Sequence, residues 1–359
     1  MKKIKTGLAS YGLSGQVFHA PFISMHPQFE LTAIAERSKD LSRVRYPEAR
    51  RVRRFDELPA MDDVELIVVN TPDSTHYEYA RLALEAGKHV IVEKPFTNTV
   101  SEGEHLIALA EKQGKMLGVY QNRRWDADYL TVKEILEKEI LGRPVEFEST
   151  FARYRNYIQP GTWKEQEGGM TYNLGSHLID QSIQLFGLPE AVFADIAIQR
   201  TGGVVDDYFI IHLLRPDKAP EVRITLKAGY LMCEPEPRFV LHGTDGSYVK
   251  YGVDRQEALL KKGVAPDTPD WGVESEEEWG WFHSGKEGRS VKYPSLRGDY
   301  IGFYESVYQC LRHGAPLATD AREVLPVIRV IEAALKSSRC GNVVRLADAA
   351  QPEKAGEQK

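Results

Sequence analysis

A lysine at the end of a short, mostly apolar run is the first residue whose position suggests chemistry. His89–Val92 leads directly into Glu93, Lys94 and Pro95. In open α/β sheets ligands bind beyond the carboxyl ends of the strands. Pro95 restricts its own φ and the conformation of the residue before it. The sequence therefore predicts that Lys94 presents its ammonium group at the sheet rim, where it would hold a substrate hydroxyl and favour its ionisation.

A polar stripe in a later, mostly apolar segment is the second candidate. Asn173, His177 and Asp180 have the spacing i, i+4 and i+7, which places them on one face of a helix. Histidine exchanges protons near neutral pH, so His177 is predicted to be a general base. The alternative is a core histidine bonded to Asp180. These two residues supply too few ligands for a metal, and no metal site is predicted.

The segment after the first apolar run has a dinucleotide-binding pattern. Ile4–Ala9 precedes a glycine loop in which Ser10 stands at the first glycine of G-x-G-x-x-G. Gly12 would let the backbone approach a pyrophosphate, and Gly15 would let the next helix pack closely on the strand. An ordinary strand-to-helix turn is the alternative. Cofactor contacts are predicted for Ser10, Tyr11, Gly12, Leu13, Ser14 and Gly15.

The end of the second strand bears on the choice of dinucleotide. Phe29–Ala35 runs into Glu36, Arg37 and Ser38. An acid here usually binds the ribose diol of NAD, and a nearby arginine accommodates the 2′-phosphate of NADP. Arg37 and Ser38 therefore favour NADP, with NAD as the alternative. Arg37 would otherwise be a solvated surface charge.

Other candidates lie on loops. His76 could contact the cofactor or hold the fold together, and both interpretations stay open. Further cofactor contacts are predicted for Thr71, Pro72, Glu93, Lys94, Asn122, Arg124 and Trp125, although a salt-bridged helix start would also explain the last three. Hydroxyl-rich substrates suit arginine and tyrosine donors and a stacking tryptophan, and these residues are otherwise loop packing. Substrate contacts are predicted for Arg153, Arg155, Tyr157, Trp163, Asn173 and His177.

Two different element patterns would position these residues. Strands at Ile4–Ala9, Phe29–Ala35, Leu66–Asn70, His89–Val92 and Met116–Tyr120 alternate with helices such as Ser74–Ala86 and Val100–Gln113, which predicts a doubly wound parallel sheet of the Rossmann type. Later strands with hairpin-like spacing predict a mostly antiparallel sheet; they are Val145–Arg153, Ala191–Gln199, Asp207–Leu214, Arg223–Ala228, Arg238–Gly243 and Ser247–Lys250. Asp254–Gly288 is predicted to be mostly surface loop, with Glu274–Glu278 solvated.

Composition narrows the class of protein. The chain has 359 residues, 42% of them hydrophobic, and a formal net charge of −6. This predicts two folded domains and argues against a broad nucleic-acid surface. No run of about 18 apolar residues suggests a membrane helix, and a strand begins too early for a signal peptide. The 3 cysteines are widely spaced, so neither a disulfide framework nor a zinc site is expected. A cytoplasmic protein is expected.

Taken together, these motifs resemble the Gfo/Idh/MocA family of NAD(P)-dependent oxidoreductases over nearly the whole chain. The resemblance rests on the glycine loop, on Glu93-Lys94-Pro95 and on the Gly175-x-His177-x-x-Asp180 segment. The segments Tyr11–His19, Asn122–Asp126 and Leu174–His177 look most like the NADP-dependent scyllo-inositol dehydrogenase subgroup. The resemblance implies a catalytic lysine at Lys94 and histidine at His177. The family's catalytic aspartate falls on Asn173, which is a departure.

The resemblance also implies an activity and an architecture. It implies hydride transfer between the cofactor and a hydroxyl or ketone carbon of a cyclic polyol or sugar. An NAD-dependent glycoside-cleaving enzyme and a non-catalytic nucleotide sensor remain alternatives. It further implies a Rossmann domain at 1–121, a C-terminal α/β domain with a large open sheet at 122–350, and a flexible tail at 351–359. A homodimer or homotetramer through the C-terminal sheet is expected.

Overall fold

The computed structural model describes Lys2–Ala349, and the predicted tail at 351–359 lies outside these residues. The strands are β1 (Ile4–Leu8), β2 (Phe29–Ala35), β3 (Arg50–Val52), β4 (Leu66–Val69), β5 (His89–Val92), β6 (Leu117–Val119), β7 (Pro144–Ala152), β8 (Pro189–Ala197), β9 (Tyr208–Pro216), β10 (Arg223–Gly229), β11 (Phe239–Gly243), β12 (Gly246–Lys250), β13 (Gly280–Ser284), β14 (Ser290–Tyr293) and β15 (Val344–Arg345). The helices are α1 (Ala20–Met25), α2 (Leu41–Arg45), α3 (His76–Glu85), α4 (Val100–Gln113), α5 (Ala127–Glu137), α6 (Ser176–Phe186), α7 (Gln256–Lys261), α8 (Ile301–His313), α9 (Ala321–Cys340) and α10 (Leu346–Ala349).

The chain folds into two compact units. The first comprises the chain up to Lys138 together with Gly252–Trp281 and Val291–Leu325. The second comprises Glu139–Tyr251, Phe282–Ser290 and the described residues from Pro326 onward. The first unit thus includes segments from beyond residue 121, where the nucleotide-binding domain is predicted to end.

The first sheet is parallel throughout and has the order β3-β2-β1-β4-β5-β6. All of β4 is buried, as is β5 after His89, because strands covered on both faces are apolar along their whole length. The carboxyl ends of β1, β4 and β5 lie side by side, so the residues that follow them meet at one edge. The predicted Rossmann sheet is confirmed.

The second sheet has nine strands in the order β14-β13-β12-β11-β7-β10-β9-β8-β15. Neighbouring strands from β12 to β15 in this order pair antiparallel, except for the parallel pair β7–β10. Along β9, Phe209, Ile211 and Leu213 are buried, while the alternating residues are half-buried or more exposed. This alternation marks a sheet with only one face in the core. The predicted mostly antiparallel sheet is confirmed.

The segment Asp254–Gly288 is mostly loop with many exposed residues, as expected, but part of it is buried. The segment contains α7 and β13, and its Trp271 is 2% exposed. Trp271 donates its ring N–H to the Gln256 side chain at 3.1 Å and packs edge-on against Phe22. Glu274, predicted to be solvated, is also buried. The high density of charged residues in this segment made its few buried residues, such as Trp271, difficult to predict.

None of the helices described within Lys2–Ala349 has the length and apolarity needed to cross a membrane.

Candidate active site

The first residue of the glycine loop, Ser10, is held by Asn70, which follows β4. The Asn70 side chain accepts a hydrogen bond from the Ser10 backbone N–H at 2.9 Å and donates to the Ser10 carbonyl at 2.8 Å. A Cβ at Gly15 would overlap that carbonyl, so the position requires glycine. A Cβ at Gly12 would contact only the Ser10 hydroxyl, at 3.4 Å. The loop is therefore closed at Gly15 and open at Gly12, as a phosphate-binding loop needs.

Ser10 departs from the glycine pattern without disturbing the loop. Its hydroxyl accepts a hydrogen bond from the Gly12 backbone N–H at 3.1 Å. The serine side chain thus supports the turn that a first glycine would form by its backbone freedom alone.

A partly buried hydrogen-bond network joins the glycine loop to the residue before Lys94. One Glu93 carboxylate oxygen accepts from the Ser14 hydroxyl and from His19 Nε2, the latter at 3.0 Å. The other oxygen accepts from the Lys94 backbone N–H at 3.0 Å. His19 Nδ1 lies 2.7 Å from the Tyr304 hydroxyl. The Nε2–H donates to Glu93, while Nδ1 either donates to the Tyr304 hydroxyl or accepts from it, so both ring nitrogens have a partner.

This network keeps Glu93 charged. Burial alone would raise the pKa of its carboxyl, but the His19 and Ser14 hydrogen bonds and the nearby charges of His19 and Lys94 lower it to about 2. A carboxylate that accepts several hydrogen bonds is stabilised in its ionised form. A negative charge therefore lies beside the backbone of Lys94, and the hydrogen bond from the Lys94 N–H to this charge positions the Lys94 backbone.

His76 joins the two neighbouring loops at this edge. Its Nδ1 lies 2.8 Å from the Pro95 carbonyl and its Nε2 lies 3.0 Å from the Thr71 carbonyl. The ring is 1% exposed, and burial lowers its pKa. Of the two interpretations of His76, these contacts favour the structural one. Lys94 itself is half-buried, and the peptide bond between Lys94 and Pro95 is cis.

Asn122–Trp125, which include three of the predicted cofactor residues, form a short helical turn within the first unit. Arg124 donates to the Ala318 carbonyl at 2.5 Å. Trp125 is half-buried and its ring meets Phe303 edge-on at 5.9 Å. These contacts give the residues structural partners and leave their predicted cofactor role a prediction.

In the second unit, Asn173 and His177 lie on consecutive turns of one helical segment. Thr171–Gly175 forms a π-helical turn that continues into α6. His177 and Asp180 are buried, and Asn173 is half-buried. The expected uniform α-helix is thus wrong at Asn173, because sequence periodicity does not reveal a single wide turn. Such turns are frequent at functional sites.

Asp206 anchors the start of this segment. Its carboxylate accepts from the Thr171 backbone N–H and from the Thr171 hydroxyl, both at 2.7 Å. Gly169 has φ +63°, and a Cβ there would overlap the Asp206 carboxylate. Asn173 and His177 therefore sit on a segment whose first turn is held by a side chain from a distant loop.

The predicted substrate residues differ in what they contact. Arg155 pairs with Glu165 at 2.7 Å and stacks on the Tyr230 ring at 4.1 Å. Arg153 and Tyr157 are exposed. Arg155 is thus engaged in a structural contact, whereas the other two are accessible.

Lys164, which the sequence analysis did not predict, contacts both Trp163 and Asn173. The Lys164 ammonium lies 5.7 Å from the centre of the Trp163 ring and 3.5 Å from Asn173 Oδ1. A positive charge therefore lies beside the position at which the family's aspartate is expected.

Other missed residues are Asn70, His19, Tyr304 and Asp206. Each acts through a partner far away in the chain, such as the Tyr304–His19 contact across 285 positions. Only Asn70 carried a local signal, since it ends a strand at the predicted sheet rim. Across the part of the chain that the structure describes, no group of three or more His, Cys, Asp or Glu side chains is placed to hold a metal.

Comparison with known proteins identifies relatives of both units. An oxidoreductase family model, described as an NAD-binding Rossmann fold, matches residues 4–121, and its C-terminal alpha/beta domain model matches 133–346. The chain is 37% identical over 94% of both chains to scyllo-inositol 2-dehydrogenase (NADP(+)) IolW of Bacillus subtilis. It is 37% identical to the uncharacterized oxidoreductase YdgJ of Escherichia coli, over 94% of this chain and 96% of that one. A crystal structure of a Bacteroides fragilis protein described only as an oxidoreductase is 64% identical, with a TM-score of 0.89 over 96% of this chain and 100% of that one.

Proposed function

The chain belongs to the Gfo/Idh/MocA family of NAD(P)-dependent oxidoreductases, and from that premise we propose that it interconverts a hydroxyl and a ketone on a cyclic polyol or sugar. The observation that carries the proposal is the Ser14–Glu93–His19 network, which connects the open glycine loop to Lys94. The Glu93 carboxylate thus contacts both Ser14 of the glycine loop and the backbone of Lys94, and it holds the two in a fixed relation. The relative named as an inositol dehydrogenase supports the polyol class.

The first unit has the features that a nicotinamide dinucleotide requires. The loop is open at Gly12, where the backbone N–H groups would face the pyrophosphate. Arg37 and Ser38 follow β2 and are exposed, where they would hold a 2′-phosphate. We propose NADP as the preferred cofactor, and the NADP(+)-dependent relative supports this choice. When bound, the cofactor supplies hydride acceptance and donation.

The remaining steps fall to side chains of this chain. In the oxidation direction His177 takes the hydroxyl proton, and Lys94 donates a hydrogen bond to the same oxygen and stabilises its developing negative charge. The hydroxyl-bearing carbon loses its hydrogen together with the bonding electron pair, as the hydride that the bound nicotinamide would accept, and the carbon–oxygen bond becomes a double bond. In the reduction direction His177 returns the proton.

Asn173 has a positioning role in this scheme. Its amide can orient a substrate hydroxyl but cannot take a proton or carry a charge near neutral pH. The acid and base work therefore falls on His177 and Lys94.

Lys94→Ala tests the proposal. Purified protein is assayed with NADP and a panel of cyclic polyols that includes scyllo-inositol. The variant is expected to lose more than about tenfold in kcat/KM, about 1.4 kcal/mol of transition-state stabilisation, while Lys112→Ala on the exposed face of α4 stays unchanged. A smaller loss in the Lys94 variant contradicts the catalytic role of Lys94.

The same assay separates two other activities on this scaffold. A glycoside-cleaving enzyme would release free sugar with no net reduction of cofactor. A nucleotide sensor would bind the cofactor and tolerate the loss of Lys94; Asn173 in place of an aspartate is the observation that favours it. Either result would replace the dehydrogenase proposal.

We also propose that two copies of the chain associate through the open face of the second sheet. The strand registers place Phe193, Ile210, Leu214, Val240 and Val249 on one face, and Phe193 is 39% exposed. The same face also carries His212, Thr225 and Glu148. Partly exposed apolar side chains among polar ones on a sheet face suit self-association.

Phe193→Asp tests this association. It is expected to lower the molar mass measured by light scattering at fixed protein concentration. Val44→Asp is the matched control, because Val44 is 88% exposed in the first unit. A monomeric wild-type protein would contradict the proposal.

A further inference from the structure

Glu36 stands where an acid would bind the ribose diol of NAD, but its carboxylate already has internal partners. One oxygen accepts from the Leu41 backbone N–H at 2.9 Å. The other accepts from the Ser42 backbone N–H at 3.1 Å and from the Ser42 hydroxyl at 2.7 Å. The residue is 6% exposed. Glu36 thus serves as a cap for α2.

The carboxylate is charged in this position. Burial alone would raise its pKa, but the Ser42 and Leu41 hydrogen bonds hold the pKa of Glu36 below its ordinary value. An ionised group with three donors gains little by turning toward a neutral diol, because it would have to give up those bonds.

Arginine side chains hold the loop after Glu36 in place, and they also form ion pairs with its other acidic residue, Asp40. Arg53 donates to the carbonyls of Glu36 and Lys39, both at 2.9 Å. The Asp40 carboxylate pairs with Arg53 at 3.0 Å and with Arg51. Both acids of the loop are therefore engaged, while Arg37 and Lys39 are exposed. Because the exposed Asp40 carboxylate is balanced by two arginines, the net accessible charge of the loop is positive, which suits a phosphate monoester.

We propose that Ser42 is a positioning residue for cofactor choice, which holds the Glu36 carboxylate on α2 and away from the adenosine ribose. The inference rests on the proposed dehydrogenase function. With Glu36 held, a 2′-phosphate meets Arg37 without a competing negative charge. With Glu36 released, the same carboxylate repels that phosphate and accepts hydrogen bonds from the diol of NAD.

Ser42→Ala removes the side-chain donor and leaves the backbone donors. The probes are NADPH and NADH, titrated against cofactor-free protein and followed by their fluorescence, so the readout does not depend on turnover. The ratio of the NADH to the NADPH dissociation constant is expected to fall about tenfold, the size of one hydrogen bond to a charged group. Ser42→Thr keeps the hydroxyl and is expected to restore the ratio. Ser24→Ala, which removes a hydroxyl bonded to the Pro21 carbonyl, is expected to leave it unchanged.

A Ser42→Ala ratio within about twofold of the wild-type value overturns the inference. Glu36→Gln gives a second test if Ser42→Ala does not fold. It is expected to leave NADH affinity within about threefold, because Glu36 does not serve the diol in the wild type. A loss of about tenfold or more shows that Glu36 does bind it, and overturns the inference. Failure of the wild type to bind either dinucleotide instead overturns the proposed function, so the two failures are distinguishable.

Discussion

Replacing Glu93 by glutamine should lower the free energy of unfolding by more than the loss of an exposed ion pair of the first unit would. The change keeps the size of the side chain and removes its charge. The amide of glutamine would also place an N–H group among donors, since Ser14, His19 and the Lys94 backbone N–H all donate to this carboxylate. The variant therefore loses charge-assisted hydrogen bonds in a site that is nearly closed to water.

The magnitude follows from the pKa of Glu93. A fall from the ordinary 4.5 to about 2 corresponds to about 3 kcal/mol of differential stabilisation of the charged form. The folded-state pKa is depressed, so this contribution is present above pH 4.5 and is lost as the pH falls toward 2. Near neutral pH we expect Glu93→Gln to lower the free energy of unfolding by about 2–3 kcal/mol.

Urea unfolding of the wild type and the variant at a series of pH values is the assay. The difference between the two proteins should be constant above pH 4.5 and should shrink below it. Glu78→Gln is the control, because Glu78 forms an exposed pair with Arg81 and should change stability by about 0.5 kcal/mol or less. A Glu93 difference below about 1 kcal/mol, or one that persists unchanged as the pH falls, would refute the reasoning.

Three further pairs of variants have expected outcomes. Gly15→Ala should lower the unfolding temperature, because its Cβ overlaps the Ser10 carbonyl, whereas Gly12→Ala should keep that temperature and weaken NADPH binding in fluorescence titration; equal effects in both assays would contradict the loop assignment. Thr99→Ala should cost about 1 kcal/mol in urea unfolding, because Thr99 caps α4, and Thr99→Ser should restore it. Trp271→Ala should cost about 3–5 kcal/mol, whereas Trp281→Ala, at a side chain that is 40% exposed, should cost under about 1 kcal/mol. Similar losses at the two tryptophans would mean that Trp271 does not anchor its segment.

Hydrophobic periodicity and capping residues predicted the helices and strands whose ends they mark. The bounds of β2, β5 and α4 agree with expectation, because apolar alternation or a capping residue marks their ends. The segment 254–288 is mostly loop, as its composition indicates, but its composition does not reveal that Trp271 and Glu274 are buried. The wide turn at Thr171–Gly175 has no periodic signal at all.

The candidate site likewise contains residues that local sequence predicts and residues that it does not. Lys94, His177 and the glycine loop have residue types and spacings that indicate their chemistry. Their supports do not: Ser14 meets Glu93 across 79 positions and His19 meets it across 74. The contrast at Glu36 is similar. Its position in the sequence indicates a ribose ligand, but its contacts with Leu41 and Ser42 show a helix cap.

Isotope transfer tests the central claim most directly. The protein is incubated with NADP and cyclic polyols, scyllo-inositol among them, that carry deuterium on the hydroxyl-bearing carbons, and the reduced cofactor and the ketone are quantified by mass spectrometry. The proposed function predicts equal amounts of ketone and deuterated reduced cofactor in the wild type, and a yield lower by more than about tenfold with Lys94→Ala. Cofactor binding without deuterium transfer from any polyol, or release of sugar from a glycoside with no net cofactor reduction, would contradict it.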